Sequence, residues 1–264
     1  MKFLFGRSFT SLLSALGFSR PRVKRFKGLL KFIKDLRAFE RQKNSDLEIS
    51  RFWFCLADYN DEAGTAKGDY FHQDLIIAQQ IFEDKPDIHL DIGSLISGFV
   101  AHVASFREII VMDIRPVDAK IKNMEFIQID LMDQASVDKY RNKFSSISCL
   151  HAIEHFGLGR YGDRVDPAGH LVGLKNIKSM LRQGESRLYL SFPMGAQRIE
   201  FNAHRIFGVD YVKKWFADEG FTIERFSYVD EQGNLYRDKD LDAGAEHIAS
   251  FNKHYGCGIF TLRY

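Results

Sequence analysis

His151, Glu154 and His155 stand in the stretch "CLHAIEHFG" as a literal H-x-x-E-H. On one helix, that spacing lets two imidazoles bind zinc while the glutamate activates a water. The neighbouring residues speak against such a helix. His151 continues an apolar strand pattern, Gly157, Gly159 and Gly162 interrupt any helix soon after His155, and no third ligand stands at a recognisable spacing. No metal site is expected.

A second set of chemistry-bearing residues lies at the ends of apolar runs. The run "HLDIGSLISGF" carries Asp91, Gly93 and Ser94, the next ends in Asp113, and the third in Asp130. In an open α/β sheet, ligands bind beyond the carboxyl ends of the strands. One aspartate there is ordinarily a turn or cap residue, but three in order form a pattern. A dinucleotide needs G-x-G-x-x-G, whose second glycine admits the pyrophosphate to the backbone. Leu95 stands at that position. A ligand without phosphates fits better, one that approaches closely at Gly93 and offers hydroxyls and an amine to carboxylates.

The elements that position these residues are short β-rich runs, "DIHLDIG", "EIIVMDI", "MEFIQID", "SSISCLH" and "SRLYLSF". The segments between the first four have about the length of βαβ crossovers, which predicts a parallel sheet covered by helices. "VDYVKKWFADEGF" reads as a helix closed by Gly220. "FTIERFSYV" and "CGIFTLRY" read as two further strands joined by a polar stretch with no strong helix, hence an antiparallel pair at the end of the sheet.

With 264 residues, 45% hydrophobic and 27% charged, the chain has the makeup of a globular protein with one catalytic-size domain. Cys55, Cys149 and Cys257 are odd in number and far apart, so neither a disulfide framework nor a thiolate metal site is expected. A reducing, cytoplasmic setting fits. The net charge of +2 is uneven: residues 1–43 hold twelve Lys or Arg against Asp35 and Glu40, giving +10 there and −8 in the remainder. From Val23 the apolar residues Phe26, Leu29, Leu30, Ile33 and Leu36 follow helical spacing beside Lys24, Lys27, Lys31 and Lys34. This basic amphipathic arm, residues 1–45, either packs on its own domain or contacts an anionic membrane peripherally, at the inner face. A protein partner is a third reading; no nucleic-acid motif is present. The opening "MKFLFGRSFTSLLSALGF" partly resembles an organelle transit peptide and lacks a clear cleavage site for a secretory signal.

Over residues 70 to 264, "LDIGSLISG", Asp113, "IDLMD", "LHAIEHFG" and the closing helix-strand-strand resemble the successive motifs of class I S-adenosylmethionine-dependent methyltransferases. More narrowly, "YFHQDL", "LDIGS", "HAIEHFGLGRYGD" with "DP", and "FNAHRIFG" resemble the methyltransferase-like family DUF268, often associated with surface-polysaccharide genes. The resemblance implies a Rossmann-like, mostly parallel seven-stranded sheet with helices on both faces and a C-terminal antiparallel pair, over residues 46–264. It implies S-adenosyl-L-methionine as cofactor, with Asp91, Gly93 and Ser94 under the methionine part, Asp113 on the ribose, and Asp130 with Leu131 at the adenine. His151 then falls on the cofactor side, Glu154 and His155 on the acceptor side. For a sugar or glycan hydroxyl as acceptor, a base near neutral pKa is useful, and His155 is the first choice, with Glu154 as orienter or alternative base. The alternative for both is a hydrogen-bonded support of the turn. Asp163, Asp166 and His170, in the glycine-rich loop that follows, could hold acceptor hydroxyls or a divalent cation, and His204 and Arg205 belong to the same rim; support of the loop or surface is the alternative for each.

Leu95 and Ser97 replace two glycines of the usual D-x-G-x-G-x-G, and Gly98 is displaced by one. Two rival functions remain: a non-catalytic methyltransferase-like binding module, which the displaced glycines support, and an NAD-dependent sugar-modifying enzyme, which they oppose. The second lacks the expected tyrosine and lysine four residues apart, since Tyr140 and Lys143 are spaced three.

Overall fold

Apolar residues at alternate positions of a strand face opposite sides of a sheet, so the β-rich runs need a layer packed on each face. A computed structural model of the chain describes residues 20–42, 47–251 and 254–264, which divide into two units between Thr65 and Ala66. The opening stretch read against targeting segments, and residues 43–45 of the arm, lie outside the described residues.

In the first unit, α1 (Arg20–Gln42) is followed by residues 47–65, which form no helix or strand. That stretch packs on α1 through Phe32, whose ring lies 6.0 Å from Phe52 and 5.0 Å from Phe54. Residues 52–56 fold back on α1 and belong to the same compact unit as the helix.

The second unit runs α2 (Asp69–Asp84), β1 (His89–Ile92), a π-turn (Ile96–Val100) leading into α3 (Ala101–Ala104), β2 (Ile109–Asp113), β3 (Met124–Gln128), α4 (Gln134–Asp138) and β4 (Ser146–Leu150). It continues through α5 (Gly169–Met180), β5 (Arg187–Met194), a hairpin of β6 (Arg198–Glu200) and β7 (His204–Ile206), α6 (Val209–Asp218), β8 (Thr222–Val229), β9 (Leu235–Tyr236), α7 (Leu241–Ala249) and β10 (Gly256–Arg263). The main sheet has the order β3-β2-β1-β4-β5-β10-β8-β9. Strands β1 to β5 pair in parallel, and β10 lies antiparallel between β5 and β8. This is the class I methyltransferase-like arrangement, a Rossmann-like sheet whose strand order reverses between β1 and β4.

Alternation divides the core as the pleat requires. On one face Ile77 and Ile81 of α2 join Phe99, Val111 and Ile259; on the other Met112 and Phe260 meet Ile177 of α5 and Trp215 of α6. Each such fully buried side chain contributes roughly 1.5–3 kcal/mol.

Three details differ from expectation. The sheet has eight strands rather than seven, because the two-residue β9 extends its edge beyond β8. The polar stretch before the last strand contains α7, which Asp240 starts by accepting hydrogen bonds from the backbone of Asp242 and Ala243. Its apolar anchors, Leu241 and Ile248, are a full two turns apart, too sparse to read as a stripe. Between β2 and β3 no helix forms, and residues 114–123 cross as turn and coil.

Candidate functional site

A cavity of about 460 Å³ opens beyond the carboxyl ends of β1 to β4, the size of a pocket for a small organic ligand. Its lining brings together Gly93, Asp113, Asp130, Leu131, His151, Glu154 and His155, from strand ends up to 62 residues apart in sequence. Asp91 and Ser94 do not line it.

Those two lie one layer below. The Asp91 carboxylate accepts hydrogen bonds from the Ser94 backbone (3.1 Å), the Ser94 hydroxyl (2.6 Å) and the Ser148 hydroxyl (2.6 Å). Complete burial pushes its pKa up to about 7, against the pull of the serines. His89 beside it contacts the Ser146 and Ser148 hydroxyls at 2.8 and 3.0 Å, and burial lowers its pKa to about 3, so the ring is neutral. Asp91 and Ser94 therefore shape the turn under the pocket, and of the three only Gly93 lines it. With φ at 68°, Gly93 takes the left-handed conformation glycine favours, and a Cβ there would stand 2.9 Å from the Ala152 methyl. Leu95, half exposed, puts its side chain on the pocket wall where a pyrophosphate would need bare backbone.

Asp113 holds Arg115 through both carboxylate oxygens, Oδ1 to Nε at 3.0 Å and Oδ2 to Nη2 at 2.5 Å. The same guanidinium lies 4.5 Å over the ring of Tyr161, so Arg115 ties the end of β2 to the glycine-rich loop. Asp130 lines the pocket while its Oδ1 accepts the Met132 amide at 2.8 Å, and the buried Leu131 passes its carbonyl to Asn176.

The H-x-x-E-H residues do not share a helix. His151 has φ at 51°, a strained value for a side-chain-bearing residue, and only Ile153–His155 form a single 3-10 turn. His151 donates Nδ1–H to Glu154 Oε1 at 2.9 Å, while its Nε2 is 3.4 Å from Asp69. Burial works against its charge, but the carboxylates of Asp69 and Glu154 on either side outweigh it and raise the pKa above the ordinary histidine value, while the buried Cys257 thiol, itself pushed up, stays neutral beside it. The ring is thus a buried cation between two carboxylates, with Tyr70 stacked on it at 5.0 Å. His155 sits otherwise. Its Nδ1 contacts the Ala203 carbonyl at 2.6 Å, and burial keeps its pKa below the ordinary value although Glu154 pulls the other way. Glu154 Oε1 is 3.7 Å from His155 Nε2, and its Oε2 is buried without a protein hydrogen-bond partner. Among the described residues no group of three or more His, Cys, Asp or Glu is arranged to hold a metal ion.

The rim divides into lining and support. Asp163 and His204 line the pocket, yet the Asp163 carboxylate is used on the amides of Gly157, Gly159 and Tyr161. Arg205 is buried and donates to the carbonyls of Glu154, Phe156 and Pro167, clamping the loop from below. Asp166 caps Ala168, and His170 contacts the Tyr211 hydroxyl at 2.6 Å, both away from the lining. Sequence reading missed Asp69 and Tyr70 at the start of α2, Arg115, Arg160 with Tyr161, and Tyr255. For Tyr70 the sole signal is the stretch "YFHQDL", which begins with it and carries no chemistry by itself, and Asp69 stands just before that stretch.

Among solved structures, three are similar to this chain. A Burkholderia thailandensis 1,6-didemethyltoxoflavin-N1-methyltransferase, with 1,6-didemethyltoxoflavin and S-adenosylhomocysteine bound, is 12% identical over 72% of this chain and 77% of its own, with a TM-score of 0.45. S-adenosylmethionine-dependent methyltransferases from Clostridium acetobutylicum and Anabaena variabilis are 12% and 10% identical, cover 75% and 74% of this chain and 93% and 86% of their own, and both score 0.47. At such identities the likeness is one of chain path. No curated protein matches the sequence. The DUF268 family model, described as a Caenorhabditis protein of unknown function, matches residues 100–249, from the end of the π-turn through α7. The match covers more than half of the chain and includes Asp113, Asp130 and the whole H-x-x-E-H turn, and the protein belongs to the DUF268 family, built on a class I methyltransferase-like fold.

Proposed function

We propose that this chain is an S-adenosylmethionine-dependent methyltransferase that O-methylates a sugar or glycan precursor. The observation that carries the reading is one cavity lined at once by the open turn at Gly93, the carboxylate of Asp113 and the imidazole of His155. The residues fit the cofactor by their chemistry. Gly93 presents bare backbone to the pocket, Asp113 suits a vicinal diol, and Asp130 with Leu131 suits the adenine edge. Leu95 disfavours the pyrophosphate of a nicotinamide dinucleotide.

When bound, S-adenosylmethionine supplies a methyl group already activated by its sulfonium. The chain has then to align the acceptor, exclude water and take one proton. Since a carbonyl oxygen only accepts, the contact to Ala203 assigns the proton to His155 Nδ1 and leaves Nε2 as the basic atom. The low pKa keeps that ring neutral and ready at pH 7. As Nε2 takes the acceptor's proton, Glu154 at 3.7 Å stabilises the imidazolium that forms. His151, cationic, keeps Glu154 in place. The sugar as acceptor rests on the family resemblance, and the tyrosines at the pocket, Tyr70, Tyr161 and Tyr255, are suited to pack on a pyranose.

Isothermal titration with S-adenosylmethionine, S-adenosylhomocysteine and NAD tests the reading. Binding of the first two without NAD is expected. Binding of NAD alone would move the chain to the sugar oxidoreductases, and heat from none of the three would favour a non-catalytic binding module.

A further inference from the structure

Among the described residues of the first unit, an apolar stripe on α1 is left uncovered. On α1, Gly28 is the buried crossing point: a Cβ there would stand 1.8 Å from the Leu56 carbonyl oxygen. A glycine in mid-helix costs roughly 0.5–1 kcal/mol relative to alanine. The close crossing explains its presence, and it sets which side of the helix the 47–56 stretch covers. Phe32 faces that stretch, against Phe52 and Phe54. Phe26, Leu30 and Ile33, spaced i, i+4, i+7, form a neighbouring stripe that is 62%, 55% and 38% exposed. The covering stretch is itself apolar outward, with Trp53 74% exposed and Arg51 5.4 Å from its ring.

The helix has nine Lys or Arg against Asp35 and Glu40. At 100° per residue, Lys27, Lys34 and Arg41 lie on the flank of the open stripe, and all three are exposed. An apolar stripe edged by basic side chains, with an exposed tryptophan on the segment packed against the same helix, has the chemistry of the boundary between lipid headgroups and acyl chains. A soluble partner's groove would need neither the basic flank nor the tryptophan. A polyanion such as RNA would need only the basic flank. Among the described residues no helix is long and apolar enough to cross a membrane, so any contact made by α1 lies in the surface plane.

We infer that α1 and the 52–54 aromatics form one lipid-docking surface, which seats the protein on an anionic bilayer with the Phe26–Leu30–Ile33 stripe and Trp53 inserted at headgroup depth. This extends the expected contact of residues 1–43 to a segment beyond the arm, and it does not depend on the proposed methyl transfer.

The test uses the full chain with vesicles of phosphatidylcholine alone or with phosphatidylglycerol added. Sedimentation with the anionic vesicles alone is expected at 0.1 M salt, with at least a fivefold loss at 1 M as the Debye length shrinks from about 10 Å to about 3 Å. Of the two tryptophans Trp215 is buried, so in Trp215→Phe a blue shift of emission on anionic vesicles reports Trp53 entering the lipid. Leu30→Asp and Trp53→Ser, both at exposed positions, should each weaken sedimentation at least fivefold with an unchanged circular dichroism spectrum. Equal sedimentation with both vesicle types overturns the inference. So does wild-type sedimentation of Leu30→Asp, or binding of heparin and vesicles that is indifferent to both substitutions, which would make the helix a polyanion binder.

Discussion

His155 points Nδ1 at the carbonyl oxygen of Ala203 across 2.6 Å, a contact between the turn after β4 and the hairpin of β6 and β7. That bond decides which nitrogen is basic, and the lowered pKa, set by burial, favours the neutral ring at pH 7. His155→Gln should therefore retain S-adenosylhomocysteine affinity and lose roughly 100-fold or more in turnover, the contribution of a positioned base. In the wild type the acid limb of the rate profile should have its midpoint below 6.5, because activity is present above the folded pKa and lost as pH falls through it. A variant that turns over at the wild-type rate would pass the base role to Glu154.

Asp113 gives both carboxylate oxygens to Arg115, so under the proposed function a ribose diol would compete with that guanidinium for one group. Asp113→Ala should weaken S-adenosylhomocysteine binding by roughly 1.5–3 kcal/mol, the scale of hydrogen bonds to a charged acceptor. Arg115→Met should act oppositely and tighten it, by up to about fivefold, since an exposed ion pair is worth about 0.2–1 kcal/mol. Titration calorimetry separates the two. Weaker binding in Arg115→Met would mean that the arginine assists the ligand instead.

His151 is a buried cation between Asp69 and Glu154. Removing one partner of a buried pair strands the other charge, so His151→Gln should cost about 3–5 kcal/mol in urea denaturation at pH 7. The purified wild type should hold no stoichiometric metal by elemental analysis. An equimolar zinc ion lost in both His151→Gln and His155→Gln would revive the reading of H-x-x-E-H as a metal site.

His89 titrates near pH 3 in the fold against about 6.5 in an unfolded chain, so the unfolded state takes up the proton first. Its contribution to stability is complete above about pH 6.5 and is lost as pH falls toward 3. His89→Gln keeps an amide between Ser146 and Ser148 and removes the titration. Between pH 7 and pH 5 the wild type should lose about 2 kcal/mol relative to the variant. Asp91, pushed up to about 7, slopes the other way in both proteins and cancels from the difference. Parallel stability curves would show that the ring stays solvated.

The sequence by itself determined the sheet, its parallel first half, the reversed last strand and the acidic strand ends, because these follow from period-2 apolar runs and from the connections between them. It also excluded a helix after His151, since Gly157 and its neighbours could not sustain one. It could not say what each polar side chain is for. Asp91 and Asp113 look alike as strand-end aspartates, yet packing buries the first on three serine contacts and leaves the second at the pocket with Arg115. His151 and His155 are both histidines of one motif, yet one is charged by Asp69, 82 positions earlier, and the other made neutral by burial and fixed by Ala203, 48 positions later. Proton location and charge depend on distances of a few ångströms between segments far apart in the chain. Only the tertiary structure brings those segments together.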